Sequence, residues 1–171
     1  MGVEEIVNDK SLKGKSKVET LSQYLMDGSI SIEQIILFAE KQKDPAKATC
    51  VEALEFATKV SPQIGTKAVL DFAAQSLASK APRVKWESAK VIGNIAHLFP
   101  NDLNKSIDHL LTNTEHDGIV VRWSAAFALG EILKMKTKHN KLLLPAIEAI
   151  CDREEKNSIK KIYIAAIKKS K

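Results

Sequence analysis

The chain has 171 residues, 44% hydrophobic and 27% charged but only 5% aromatic, enough to build one globular domain with a sizeable core. Seven glycines and five prolines are too few for the many turns of a sandwich or barrel, and far too few for a collagenous or disordered chain, so an all-helical protein is expected. The net charge of +5 is unevenly spread: residues 1–117 carry 14 Lys and Arg against 16 Asp and Glu, whereas residues 118–171 carry 12 against 5.

Residues 1–16 form a polar head, read as a flexible tail or a partial capping helix. From there on, apolar residues recur at spacings of three and four, the signature of successive amphipathic helices, and strand-like alternation is nowhere sustained. Turn residues divide this pattern into nine helices near 17–27, 31–43, 45–60, 62–79, 82–98, 101–114, 118–136, 140–151 and 154–169. Several starts have a mechanism. Asp44 and Ser61 are placed to accept a hydrogen bond from a first free amide, with Pro45 and Pro62 in the first helical position, where a missing N–H costs nothing. Ser31 with Gln34, and Asp152 with Glu155, have capping-box spacing. Pro145 is harmless if its helix starts near Leu142, because a proline in the first turn removes no intrahelical bond.

The helices repeat. VKWESAKVIGNI, starting at Val84, overlays VRWSAAFALGEI, starting at Val121, at an offset of 37 residues, with eight of twelve positions identical or similar. Trp86 falls on Trp123, Ala89 on Ala126 and Gly93 on Gly130. Weaker copies at an offset of 36 place Cys50, Ala53, Phe56 and Ala57 on Trp86, Ala89, Ile92 and Gly93, and extend from the second copy to Ile159, Ile162, Tyr163 and Ala166. The unit is a helix pair of about 37 residues.

The segment VRWSAAFALGEI followed by LLPAIEAI resembles a HEAT or HEAT-like (armadillo-type) repeat through Val121, Arg122, Ala125, Ala126, Leu129, Gly130 and Pro145. The resemblance implies an all-α, right-handed α-solenoid of stacked antiparallel helix pairs, about 8–9 helices in all. It divides residues 17–171 into repeats near 17–43, 44–81, 82–117 and 118–153 with a C-terminal capping helix at 154–169. It also implies that the second helix of each pair lines the concave side, which would carry Asn104, Lys105, Asp108, His109 and Glu148.

Residues suited to chemistry are scarce. His97, His109, His116 and His139 share no metal-ligand spacing, and no nucleophile elbow or phosphate-binding glycine loop is present, so no metal, cofactor or small-molecule ligand is expected. Cys50 and Cys151 stand a hundred residues apart and read as small core residues. Glu4-Glu5 and Glu154-Glu155 suit helix N-termini better than acid–base work. With no apolar run of about 18 residues and an acidic start, MGVEEIVNDK, the chain is read as cytoplasmic, without a membrane partner.

A non-enzymatic protein-interaction or scaffold module is the reading that remains, with a protein partner on the rigid stacked pairs. The candidate contact residues are Asn104, Lys105 and Asp108 on a second helix, the basic cluster Lys134, Lys136, Lys138 and Lys141, and the equivalent tryptophans Trp86 and Trp123. The tryptophans either fill gaps between repeats or form an aromatic contact surface, with Phe127 four residues beyond Trp123 extending the stripe. Nucleic-acid binding through the C-terminal lysines is the alternative. Behind both stands a HEAT-like alkylpurine DNA glycosylase, for which Asp108 is the one nominee as catalytic acid, although beside Lys105 it reads as half of a surface ion pair.

Overall fold

The three-and-four spacing of apolar residues becomes helix throughout the computed structural model, which describes residues 1–171. Ten α-helices and two short 3-10 turns follow one another without a strand: α1 (Val3–Asn8), α2 (Gly14–Asp27), α3 (Ile32–Glu40), α4 (Ala46–Val60), α5 (Lys67–Ser76), α6 (Pro82–Ile95), α7 (Asn104–Asn113), α8 (Ile119–Lys134), α9 (Asn140–Arg153) and α10 (Asn157–Ser170). The extra helix is α1. Its Val3, Ile6 and Val7 are buried in the common core, and the Gly2 amide donates to Glu5 Oε2 at 2.9 Å, so the polar head is helical and packed.

Local chemistry explains which helix ends match the sequence and which do not. Ser31 Oγ accepts the Gln34 amide at 3.2 Å while Gln34 Oε1 accepts the Ser31 amide at 2.8 Å, a reciprocal box that starts α3. Gly28, at φ 79°, ends α2 in the left-handed conformation that glycine adopts without steric cost. Asp44 and Ser61 make no capping bond. Pro62 instead opens the 3-10 turn Pro62–Ile64, and the helix expected at 62–79 begins only at Lys67, where Thr66 Oγ1 accepts the Val69 amide. Nor does Asp152 start a helix: α9 continues through Arg153, and α10 begins at Asn157. Pro145 lies in the second turn of α9, not the first. Its missing N–H leaves the carbonyl of exposed Lys141 to water, which lessens the usual penalty.

The helices form two layers. In one, α2, α4, α6, α8 and α10 stack in succession as the closest neighbours in the molecule; in the other, α1, α3, α5 and α7 touch more sparsely, and α7 and α9 scarcely meet. A stack that is tight on one side and splayed on the other curves toward the tight side. The concave side therefore belongs to the even-numbered helices, not to the second helices of each pair as the resemblance implied, and Asn104, Lys105, Asp108, His109 and Glu148 lie on the opposite layer.

Small residues make the tight layer possible. A Cβ on Gly93 would collide with the Phe127 ring of α8, and one on Gly130 would sit 3.3 Å from Ala166 Cβ and 3.7 Å from Ile162 Cγ2 on α10. The matching glycines of the two copies thus do the same work, each admitting the next helix of the layer. Ala125, Ala126 and Ala128 are buried beside them. The α4 copy is in a different register from the one expected: an offset of 36 would place exposed Phe56 on buried Ile92, whereas an offset of 38 aligns Glu52, Phe56, Lys59 and Val60 with Lys90, Asn94, His97 and Leu98, all partly or fully exposed, and Leu54, Glu55 and Ala57 with buried Ile92, Gly93 and Ile95. Side chains tie the layer further, as Asn94 Nδ2 donates to the Glu55 carbonyl at 3.1 Å and to Thr58 Oγ1 at 3.2 Å.

Gly130→Leu should overpack the contact between α8 and α10, destabilising the chain by about 1–3 kcal/mol. A thermal melt should then fall by roughly 2–4 °C per kcal/mol lost. An unchanged melting temperature would contradict the packing described here.

Candidate functional site

Along α8, positions 119, 120, 123 and 127 project from the outer side of the tight layer, because the rest of that helix is taken up by α6, α10 and the second layer. Phe127 lies across the glycine gap of α6, and Trp123, one turn back, stacks on it with ring centroids 6.0 Å apart and planes 9° apart. Phe127 fills the groove first, so Trp123 is left 37% exposed. Trp86, the matching residue of α6, is half-buried and donates its indole N–H to Glu87 Oε1 at 2.9 Å. On α4 the same face shows Phe56, 44% exposed, and Val60, 59% exposed. Polar groups lie among these rings: Lys90 is 3.1 Å from Glu87 and 3.9 Å from Glu55, and Lys134 pairs with Glu131. Glu55 is nearly buried, which raises its pKa, while Lys90 opposes the shift.

The opposite layer opens where α7 and α9 part. Asn104, Ile107, Asp108 and Leu111 from one side and Lys138, His139, Leu142 and Leu143 from the other line a groove of about 540 Å³. Lys136, in the left-handed region at φ 55°, turns the chain between α8 and α9, and His139 Nε2 lies 3.0 Å from the Pro100 carbonyl, holding that connection against the preceding repeat. Asp108 forms no ion pair with Lys105; both are exposed, and the Asp108 carbonyl accepts the Thr112 hydroxyl. Of the residues singled out in the sequence, the groove brings together Asn104, Asp108 and Lys138, with Lys105 and Lys141 exposed beside it in sequence. Lys134 is separated from them, lining a smaller pocket with Gly93, His97 and Glu131 at the C-terminal ends of α6 and α8. Phe56, Val60 and Leu142 were missed. Leu142 had a signal in its sequence, since three consecutive leucines in KLLLPA cannot all face one side of a helix.

Polar groups elsewhere serve the fold. Arg122 donates to Glu154 through Nε at 3.1 Å and Nη2 at 3.3 Å, and its Nη1 reaches the carbonyls of His116 and Asp117, both at 3.1 Å. Lys85, its counterpart in the earlier copy, reaches the Leu77 carbonyl and Asn113 Oδ1 in a similar way. Both residues secure the turn before their helix; Arg122 also reaches Glu154 ahead of α10, and Lys85 the end of α7 at Asn113. Burial acts to raise the Glu154 carboxyl, but its hydrogen bonds from Arg122 and the Lys156 amide hold it below the usual carboxylate range. Burial pushes the Cys50 thiol up to about 12, which keeps it protonated and unreactive. No cluster of three His, Cys, Asp or Glu is placed to hold a metal ion, and no helix is long and apolar enough to cross a membrane.

The same architecture occurs in designed proteins. The chain is similar to computationally designed armadillo repeat proteins made for modular peptide recognition, at 16% identity over 99% of this chain and 81% of that one, with a TM-score of 0.70. An engineered protein aligns at 18% identity over 96% of this chain and 77% of that one, with a TM-score of 0.69, and a further designed armadillo protein at 15% identity over 99% and 81%, with a TM-score of 0.64. No protein-family model and no curated protein matches the chain. At these identities the likeness defines the fold: an α-solenoid of the HEAT or armadillo type, as the repeated segments implied.

Arg122→Met should destabilise the chain by about 2–4 kcal/mol at neutral pH, because it leaves the Glu154 carboxylate buried and unpaired. Glu154 has a depressed folded pKa, so the stability its pairing contributes is complete above the ordinary carboxylate range and is lost as pH falls through the depressed value. Urea titrations across acid pH should therefore show wild type and variant converging as pH falls. A difference independent of pH would contradict this role for the pair.

Proposed function

We propose that the chain is a non-enzymatic scaffold whose concave, even-helix face binds a segment of a partner protein. The observation that carries this reading is the Trp123–Phe127 stack, a rigid aromatic pair left partly open to solvent on the same face as Phe56, Val60 and Trp86. Aromatic rings fixed by packing lose little entropy on binding and recur among the residues that dominate interface energy. The mixed polar groups around them, Lys90 with Glu55 and Glu87, Lys134 with Glu131, and Asn94, supply donors and acceptors for a peptide backbone and its side chains. Peptide recognition is also the stated purpose of the similar designed armadillo proteins.

The alternatives have less support. Lys134 is paired with Glu131 on one layer and Lys138 lies in the groove of the other, so the lysines picked out in the sequence form no single track for a phosphate backbone. Asp108, the nominee of the glycosylase reading, stands beside Ile107, Leu111 and Leu142 on the layer opposite the tryptophans, where no aromatic pocket could receive a flipped base.

The test is a pull-down from cytosol with tagged wild-type chain and Trp123→Ser, washed at low and high salt and with nuclease in parallel. A defined protein should survive nuclease and salt on the wild-type chain and fall about tenfold on the variant, with helical circular dichroism unchanged. Recovery of nucleic acid alone, released by salt, would overturn the proposal.

A further inference from the structure

The α7–α9 groove lies on the layer away from the Trp123 face, and the reading of that face makes no use of it. Two features set it apart. Each earlier successive pair of odd-numbered helices makes direct contact, as α1 does with α3, α3 with α5 and α5 with α7, whereas α7 and α9 leave a gap. Leu142, whose side chain lines that gap, is 81% exposed, the most exposed large apolar residue of the chain, and its neighbours there are Ile107, Leu111 and Leu143. An apolar floor between two parallel helix faces has the shape that receives a third helix.

The charges around it select the occupant. Lys138 lines the groove, exposed Lys105 and Lys141 adjoin lining residues Asn104 and Leu142, and Asp108 is the one acid among the lining residues. The first turns of both α7 and α9 lie at this same lysine-bearing end, so the positive ends of the two helix dipoles add to its potential. We propose that the groove docks an amphipathic helix of a partner protein, with leucine-sized side chains seated between α7 and α9 and acidic residues meeting Lys105, Lys138 and Lys141.

A displayed library of 16-residue amphipathic helices tests this, with the apolar face fixed as leucine and the polar positions drawn from Glu, Lys, Gln and Ser. Selection on the wild-type chain should enrich acidic members. Leu142→Ser, which alters an exposed side chain, and the double variant K138E/K141E should each cut binding of the enriched peptides by about tenfold or more, while Trp123→Ser leaves it unchanged. The Trp123→Ser arm separates this groove from the concave face, so either proposal can fail alone. Enrichment of basic or uncharged members, no enrichment, or binding insensitive to Leu142 would overturn the inference.

Discussion

The close approach of α6, α8 and α10 is the constraint on which the rest of the molecule depends. It is possible because Gly93 and Gly130 present no side chain where the next helix of the layer arrives. Two consequences follow from one cause. The layer with small residues at its contacts becomes the inner one and the layer of α1, α3, α5, α7 and α9 is splayed. The vacancy over Gly93 is also filled from outside by Phe127, so the aromatic pair Phe127 and Trp123 lies across the helix contact and its outer ring stays in solvent. A chain with alanine or leucine at position 93 would have neither the same helix spacing nor this surface.

The fold was legible in the sequence because a repeat reports its packing twice. Gly93 and Gly130, Val84 and Val121, and Lys85 and Arg122 each occupy matching environments, and chance similarity would not place basic residues on turn carbonyls at both sites. The α4 copy was misplaced by two residues because Ala53 and Ala57 match the small residues Ala89 and Gly93 by composition at an offset of 36, whereas the exposure of Phe56, Lys59 and Val60, which composition does not report, requires the other register. The polar head was ambiguous because α1 is only six residues long, too short for helical periodicity to register, although it buries three apolar side chains.

The candidate contact residues were legible in part. Trp86 and Trp123 stand on one face because they are repeat equivalents, and sequence alone could establish that. What it could not supply was which layer curves inward, since curvature arises from the difference in spacing between two layers and not from either helix alone. The lysines illustrate the same limit. Four residues apart in sequence, Lys134 and Lys138 are parted by the turn at Lys136, one going to the tight layer with Glu131 as partner and the other to the groove on the splayed layer. A basic stretch in the chain thus becomes two local surfaces with different neighbours, each fitted to a different kind of contact.

Hydrogen exchange of the folded chain, read helix by helix by mass spectrometry, tests the account most directly. If the tight even-numbered layer holds the solenoid together, amides of α6 and α8, flanked on both sides, should exchange most slowly and those of α7 and α9 faster, with α9 released before global unfolding. Protection of α7 and α9 equal to or greater than that of α6 and α8 would show that stability resides in the other layer, and would contradict the account.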